Sequence, residues 1–334
     1  MLAKKRSPIA AVISGIVSII ILAAAGWLLL NRQYAIDQVT IWGYTPSSNI
    51  SAINERVNFT DEGRFYFFAT QPEVAGDEQF NLDCPRQEVG NPILGCYSNK
   101  RIFIYDITNP KLDGMEEVTA AHEMLHAVWE RMDSNEQSKI GALLRLEYQK
   151  YADNKDLTER MDYYQRTEPG QFENELHSIL ATEQANLSPE LEKYYSQFFS
   201  DRQVVVGLHA KYDTVFKNLK IQSDTLYTEL TQLGLDVEAR TSAYNANIAQ
   251  LSRDIESFNA RANSSSFSSA RQFNNERAAL LVRSNQVDSE RELISADIDA
   301  YNVKYAKYQE IASQIEVLNK SIDSIKALDP TPSV

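Results

Sequence analysis

The stretch "AAHEMLHAVWERM", residues 120 to 132, sets His122, Glu123 and His126 into an otherwise apolar run, in a chain with four histidines. On an α-helix, residues four apart share a face, so these two imidazoles can reach one cation. Zinc takes neutral imidazole nitrogen readily and accepts a tetrahedral site. Glu123 cannot join them as a ligand from the same turn, but it is placed to remove a proton from a metal-activated water. Its neighbours Ala120, Ala121, Met124, Leu125, Ala127, Val128 and Trp129 include no Pro or Gly. A helix this apolar belongs in a core, where two histidines and a glutamate are costly without a metal.

A catalytic zinc needs a third protein ligand and an open position. The extension HExxHxxGxxH is absent, because Trp129 stands where its Gly falls and Met132 where its last His falls. The ligand must then come from a later segment. "GQFENELHSILATEQ" (170–184) gathers Glu173, Glu175, His177 and Glu183 in an otherwise apolar, helix-patterned context.

With these two segments the chain resembles the zincin metallopeptidases, specifically the gluzincin group, over residues 115 to 200. In that group a second helix supplies a glutamate ligand, often as ExxxD, ExxAD or ExxSD. Matched to that pattern, "ELHSI" (175–179) makes Glu175 the ligand with Ser178 in the small-residue slot, while Ile179 replaces the Asp that would orient a ligating histidine. The alternative register, "ENELH" (173–177), makes Glu173 the ligand, and His177 itself is a further alternative. The resemblance implies a Zn²⁺ cofactor held by His122, His126 and Glu175, Glu123 as general base, and a peptide or protein substrate. It also implies an upstream strand on whose edge the peptide lies antiparallel, for which "RIFIYDI" (101–107) is in the right order. Tyr163, Tyr164, His177, Tyr194, Tyr195, Arg202 and His209 are eligible oxyanion donors, and spacing does not choose among them.

Other segments must position this site. Residues 8–30 are uncharged and long enough to cross a bilayer, with Lys4, Lys5 and Arg6 before them and Arg32 the closest basic residue after them. The pattern predicts a cytoplasmic basic tail (1–7), a transmembrane signal-anchor helix (8–30) and an extracytoplasmic remainder. A cleaved signal peptide is the competing reading, and the compact anchor looks more bacterial than eukaryotic. Formal net charge is −13, which argues against a nucleic-acid partner. Cys84 and Cys96 are the only cysteines; outside the cytoplasm they most simply form one short-loop disulfide, and two buried free thiols are the alternative.

The fold expected is α+β: a mainly helical zincin-like domain over residues 31–208, with "GRFYFFAT" (63–70) and "KRIFIYDI" (100–107) as strands and helices after Met115. From 209 to 328 apolar residues recur at an average spacing of 3.5 on both sides of "NSSSFSS" (263–269), which predicts a long antiparallel coiled-coil hairpin. Parallel-dimer zippers or one jointed stalk are the alternatives. Residues 329–334 read as a disordered tail. The hairpin offers a surface for a protein partner or for self-association. A non-enzymatic envelope scaffold with a structural or vestigial metal site is the rival to the membrane-anchored peptidase.

Overall fold

The computed structural model describes residues 8–85 and 92–325. The basic tail (1–7), the end of the hairpin (326–328) and the last residues (329–334) lie outside the described residues, as does part of the segment between the two cysteines. Among the described residues the chain is mostly helical, with few strands. It divides into two compact units, one holding the chain up to Thr214 together with Leu318 onward, the other Val215–Val317.

The first unit begins with α1 (Pro8–Leu30). Its Val12–Leu30 portion has a mean hydropathy of 2.5 and is not buried by the rest of the chain, so it is long and apolar enough to cross a membrane. Next come α2 (Arg32–Gly43), α3 (Ser48–Val57), α4 (Asp61–Ala69), β1 (Glu73–Ala75), α5 (Asp77–Asp83), β2 (Gly95–Ser98) and β3 (Arg101–Tyr105). The helices that follow are α6 (Met115–Arg131), α7 (Ser134–Tyr148), α8 (Lys155–Thr167), α9 (Phe172–Glu183) and α10 (Pro189–Tyr195). The core joins α3 and α4 to the apolar faces of α6 and α9, with Ile53, Phe67, Met124, Leu125, Leu176 and Leu180 nearly or fully inaccessible.

"GRFYFFAT" is a helix, contrary to the strand expected. Its start carries an N-cap: the Thr60 hydroxyl accepts from the Gly63 amide, and Asp61 and Glu62 occupy the first turn, where acidic groups favour the helix dipole. Four consecutive aromatics then spread around the helix, with Phe67 against Phe59, Phe65 against Tyr34 and Phe68 against Tyr44. Gly63 cannot carry a side chain, because a Cβ there would sit 2.1 Å from the Phe198 carbonyl oxygen.

The three strands order as β1-β3-β2, with β1 parallel and β2 antiparallel to β3. "RIFIYDI" therefore supplies the central strand and offers no free edge, which corrects the expectation for 101–107. Its Ile102 and Ile104 face the main core while Phe103 and Tyr105 pack with Phe80 of α5, so all four are buried, as a strand covered on both faces requires. Among the described residues, β2 is the antiparallel edge strand. Cys84 and Cys96 are joined in a disulfide that ties the end of α5 to this strand.

α2 is bound to the core by a buried ion pair. Arg131, at the end of α6, grips Asp37 with Nε and Nη2 at 2.8 and 2.9 Å, and Asp37 is 3% exposed. The same guanidinium donates to the Tyr97 hydroxyl at 3.1 Å and to the Ala127 carbonyl at 2.9 Å. Burial opposes the charge on Arg131, yet Asp37 outweighs it and holds the cation well above its ordinary range. Removing one partner of such a pair strands a buried charge, at a cost of about 3–5 kcal/mol. Asp37→Ala is therefore expected to lower the thermal unfolding midpoint sharply, and an unchanged midpoint in a melting curve would contradict this role.

In the second unit, α11 (Arg202–Asn263) and α12 (Ala270–Ile322) run antiparallel over Val215–Val317. The cross-helix ion pairs fix the direction: Lys304 meets Glu229, Arg240 meets Asp297, Arg283 meets Asp254 and Arg261 meets Glu276. Partner numbers fall on one arm as they rise on the other, as the hairpin reading requires. The turn occupies the Ser-rich break, closed by Phe258, Phe267 and Phe273, with the Arg261 guanidinium 4.8 Å above the Phe267 ring. A two-helix seam is narrow, so Leu226, Leu251 and Ile311 are buried while Ile248, Ile255 and Ile298 of the same stripe stay exposed.

Candidate metal centre

α6 and α9 pack directly, and their contact brings the two expected segments together. His122 and His126 lie a turn apart on α6, with ring centroids 4.7 Å from each other. The ligand atoms of His122, Glu123 and His126 lie within 4.8 Å of one another, a spacing that can hold a metal ion, so Glu123 comes closer to a shared ion than the expectation of a non-ligating residue allowed. Glu175 on α9 closes the group: its carboxylate oxygens stand 3.6 Å from His122 Nε2 and 3.4 Å from His126 Nε2.

Both distances lie within ion-pair range and are also compatible with a shared cation. Hydrogen bonds from nitrogen to oxygen fall at roughly 2.7–3.2 Å, so both contacts are long for direct bonds. Two ligand atoms each about 2.0–2.1 Å from a tetrahedral zinc lie roughly 3.3–3.4 Å apart. Two imidazole nitrogens and one carboxylate, all largely shielded from solvent, also match zinc's ligand preference. The residues fit the ion.

The tautomer of His126 is set from outside. Asn174 donates its amide to Gln171 Oε1 at 2.9 Å, which turns its own Oδ1 toward His126 Nδ1, also at 2.9 Å. Nδ1 must then carry the proton, leaving the Nε2 lone pair for a cation. The Ser178 hydroxyl lies 3.5 Å from the same Nδ1. The orienting carboxylate missing at Ile179 thus has a partial substitute in an amide one residue before Glu175.

Burial raises the Glu123 carboxyl above the usual carboxylate range, while His126 and His122 pull it back only in part. The Tyr97 backbone amide on β2 also favours its ionised form. Burial pushes Glu175 the same way, but the two imidazoles beside it prevail and hold it below that range. Burial works against charge on His122, yet Glu175 and Glu123 outweigh it and raise that imidazole. β2 reaches this close because residue 95 is glycine; a Cβ there would sit 2.4 Å from Thr119 Cγ2 and 3.1 Å from Glu123 Cγ.

The other expected residues separate clearly. Glu173 turns away to an ion pair with Arg145 and does not reach the imidazoles. His177 is fully buried, bonded through Nε2 to the Tyr194 hydroxyl at 2.9 Å and packed on Trp129; burial depresses it to about 3. Glu183 is gripped by both terminal nitrogens of Arg160. Of the seven oxyanion candidates, Tyr163 and Tyr164 line the cleft in front of the cluster, a cavity of about 1260 Å³. Arg202 instead binds the Ala181, Gln184 and Ala185 carbonyls and Glu192. Tyr195 donates to the His177 carbonyl at 2.8 Å, and His209 lies 3.6 Å from Glu183.

Gly95, Tyr97, Glu168 and Asn174 also line the cleft and were not singled out by sequence. No protein-family model, curated protein or solved structure matches this chain.

Proposed function

We propose that the protein is a membrane-anchored, zinc-dependent peptidase of the gluzincin kind, acting outside the cytoplasm. The observation that carries the reading is the Glu175 carboxylate facing both Nε2 atoms at zinc-ligand spacing. His122, His126 and Glu175 would hold the ion, which when bound makes a water more acidic and polarises a carbonyl. Glu123, buried beside the pair, takes the proton of the attacking water and delivers it to the leaving amine. Atoms balance: the carbon–nitrogen bond breaks, the carbonyl carbon gains hydroxyl and the amine gains a proton.

Of the two tyrosines lining the cleft, Tyr164 is assigned as the donor for the developing oxyanion, since it interacts with both Glu175 and Glu123. Burial, with Glu175 and Glu123 nearby, keeps its phenol protonated far above the usual tyrosine range, so the hydroxyl remains a donor. Tyr164→Phe is expected to slow hydrolysis by roughly 10²–10³-fold with zinc content unchanged; an unaffected rate removes Tyr164 from the mechanism. A substrate strand fits the outer edge of β2, whose Gly95–Ser98 residues line the cleft. Glu130, Asp156, Glu159 and Glu168 give the cleft an acidic lining, which favours basic side chains on the substrate.

The direct test is hydrolysis of an unfolded polypeptide by the purified chain. Activity should vanish on treatment with a chelator and return with added Zn²⁺. Hydrolysis indifferent to chelation, or none in the zinc-loaded chain, would reject the reading. A non-enzymatic scaffold is favoured by one observation, the long charge-paired hairpin of Val215–Val317. That alternative expects no zinc-dependent turnover.

A further inference from the structure

The length of chain between the anchor and the site limits what the site can reach. The apolar span ends at Leu30, and α2 starts at Arg32 with no flexible linker between. By Asp37, seven residues past the span, the chain is already locked to Arg131 in the buried bidentate ion pair. Two further bonds fasten the same segment: Lys100, in the β2–β3 turn, donates to Gln33 Oε1 at 2.9 Å, and Tyr44 donates to the Pro72 carbonyl at 2.6 Å. α2 is therefore a bracket fixed both to the end of the histidine helix and to the strand pair that walls the cleft.

The reach follows from helix geometry. Leu30 to Asp37 rises about 11 Å along a helix, the Asp37–Arg131 ion pair joins that point directly to the end of α6, and Arg131 back to His126 is about 8 Å. With α1 in a bilayer, the imidazoles stand no more than roughly 30 Å from the hydrocarbon edge. A soluble domain on a flexible tether samples a far greater depth.

We propose that the substrate is itself membrane-bound, a polypeptide cleaved in the stretch of its chain next to the bilayer. The proposal rests on the peptidase reading above and on α1 as the anchor. Confinement to one membrane raises the effective concentration of such a partner, and the bracket keeps the cleft at the depth where that stretch lies.

The test uses the full chain in proteoliposomes with two single-span reporters. Both carry the same mixed-sequence, unfolded segment of about 15 residues; in one it adjoins the membrane, and in the other a rigid spacer lifts it about 60 Å. The near segment should be cut at least about tenfold faster, and a Gly/Ser insertion of about 30 residues after Leu30 should erase most of that difference, since such a linker reaches roughly 30 Å further. Equal cleavage of both reporters by the wild-type chain would overturn the inference while leaving the peptidase reading intact. A near preference that survives the insertion would likewise overturn it, because the bracket would not be its cause. No cleavage of either reporter by a zinc-loaded chain would remove the peptidase reading and this inference with it.

Discussion

Glu123→Gln should abolish peptide hydrolysis, by about 10²–10⁴-fold in kcat, while leaving the zinc content of the purified protein unchanged. The substitution keeps size and polarity but removes the proton-accepting carboxylate. Glu123 is 7% exposed and sits beside both imidazoles. The direction of its shift suits the role, since burial raises Glu123 above the usual carboxylate range and makes it a stronger base. Turnover by the Glu123→Gln variant within a few-fold of the wild type would reject the assignment of the base.

His126→Ala should have the second large effect, loss of the bound metal. Two imidazoles and one carboxylate are the minimum protein set for a catalytic zinc, and removing one leaves too few ligands for tight binding. The elemental zinc content of the purified variant should fall from about one per chain toward zero, with hydrolysis lost in parallel. Asn174→Ala should weaken zinc by roughly 10–100-fold without eliminating it, because Asn174 fixes the ring rather than touching the ion. Full zinc occupancy in His126→Ala would place the metal elsewhere.

Much of this site could be read before the fold was known. The helical period and apolar flanks of residues 115–131 and 172–183 specify two buried helices, and buried carboxylates and imidazoles on such helices must meet partners. The sequence pattern already put Glu175 ahead of Glu173, and the packing of α9 on α6 turns one acid inward and the other to Arg145. The four consecutive aromatics of α4 resembled a strand by composition, and only Thr60 with the two acids after it marked a helix start. Strand order was not legible at all: an edge and a centre differ by what lies beside them, and the short β1 (Glu73–Ala75) carries almost no pattern. The Asp37–Arg131 bond lies in the same class, since nothing local says that a helix after an apolar span will lend a carboxylate to residue 131. The periodic stripes and the Ser-rich break left the antiparallel hairpin beside parallel zippers and a jointed stalk, and the cross-helix ion pairs choose the hairpin.

The decisive measurement is X-ray absorption at the zinc edge on the full chain and on Glu175→Gln. In the wild type the expected result is about one zinc per chain, coordinated by two imidazole nitrogens and by oxygen at roughly 2.0–2.2 Å with no sulfur. The Glu175→Gln variant should show lower occupancy or a changed oxygen shell. A wild-type chain that takes up no zinc, or a spectrum identical in the two proteins, would contradict the three-residue metal centre.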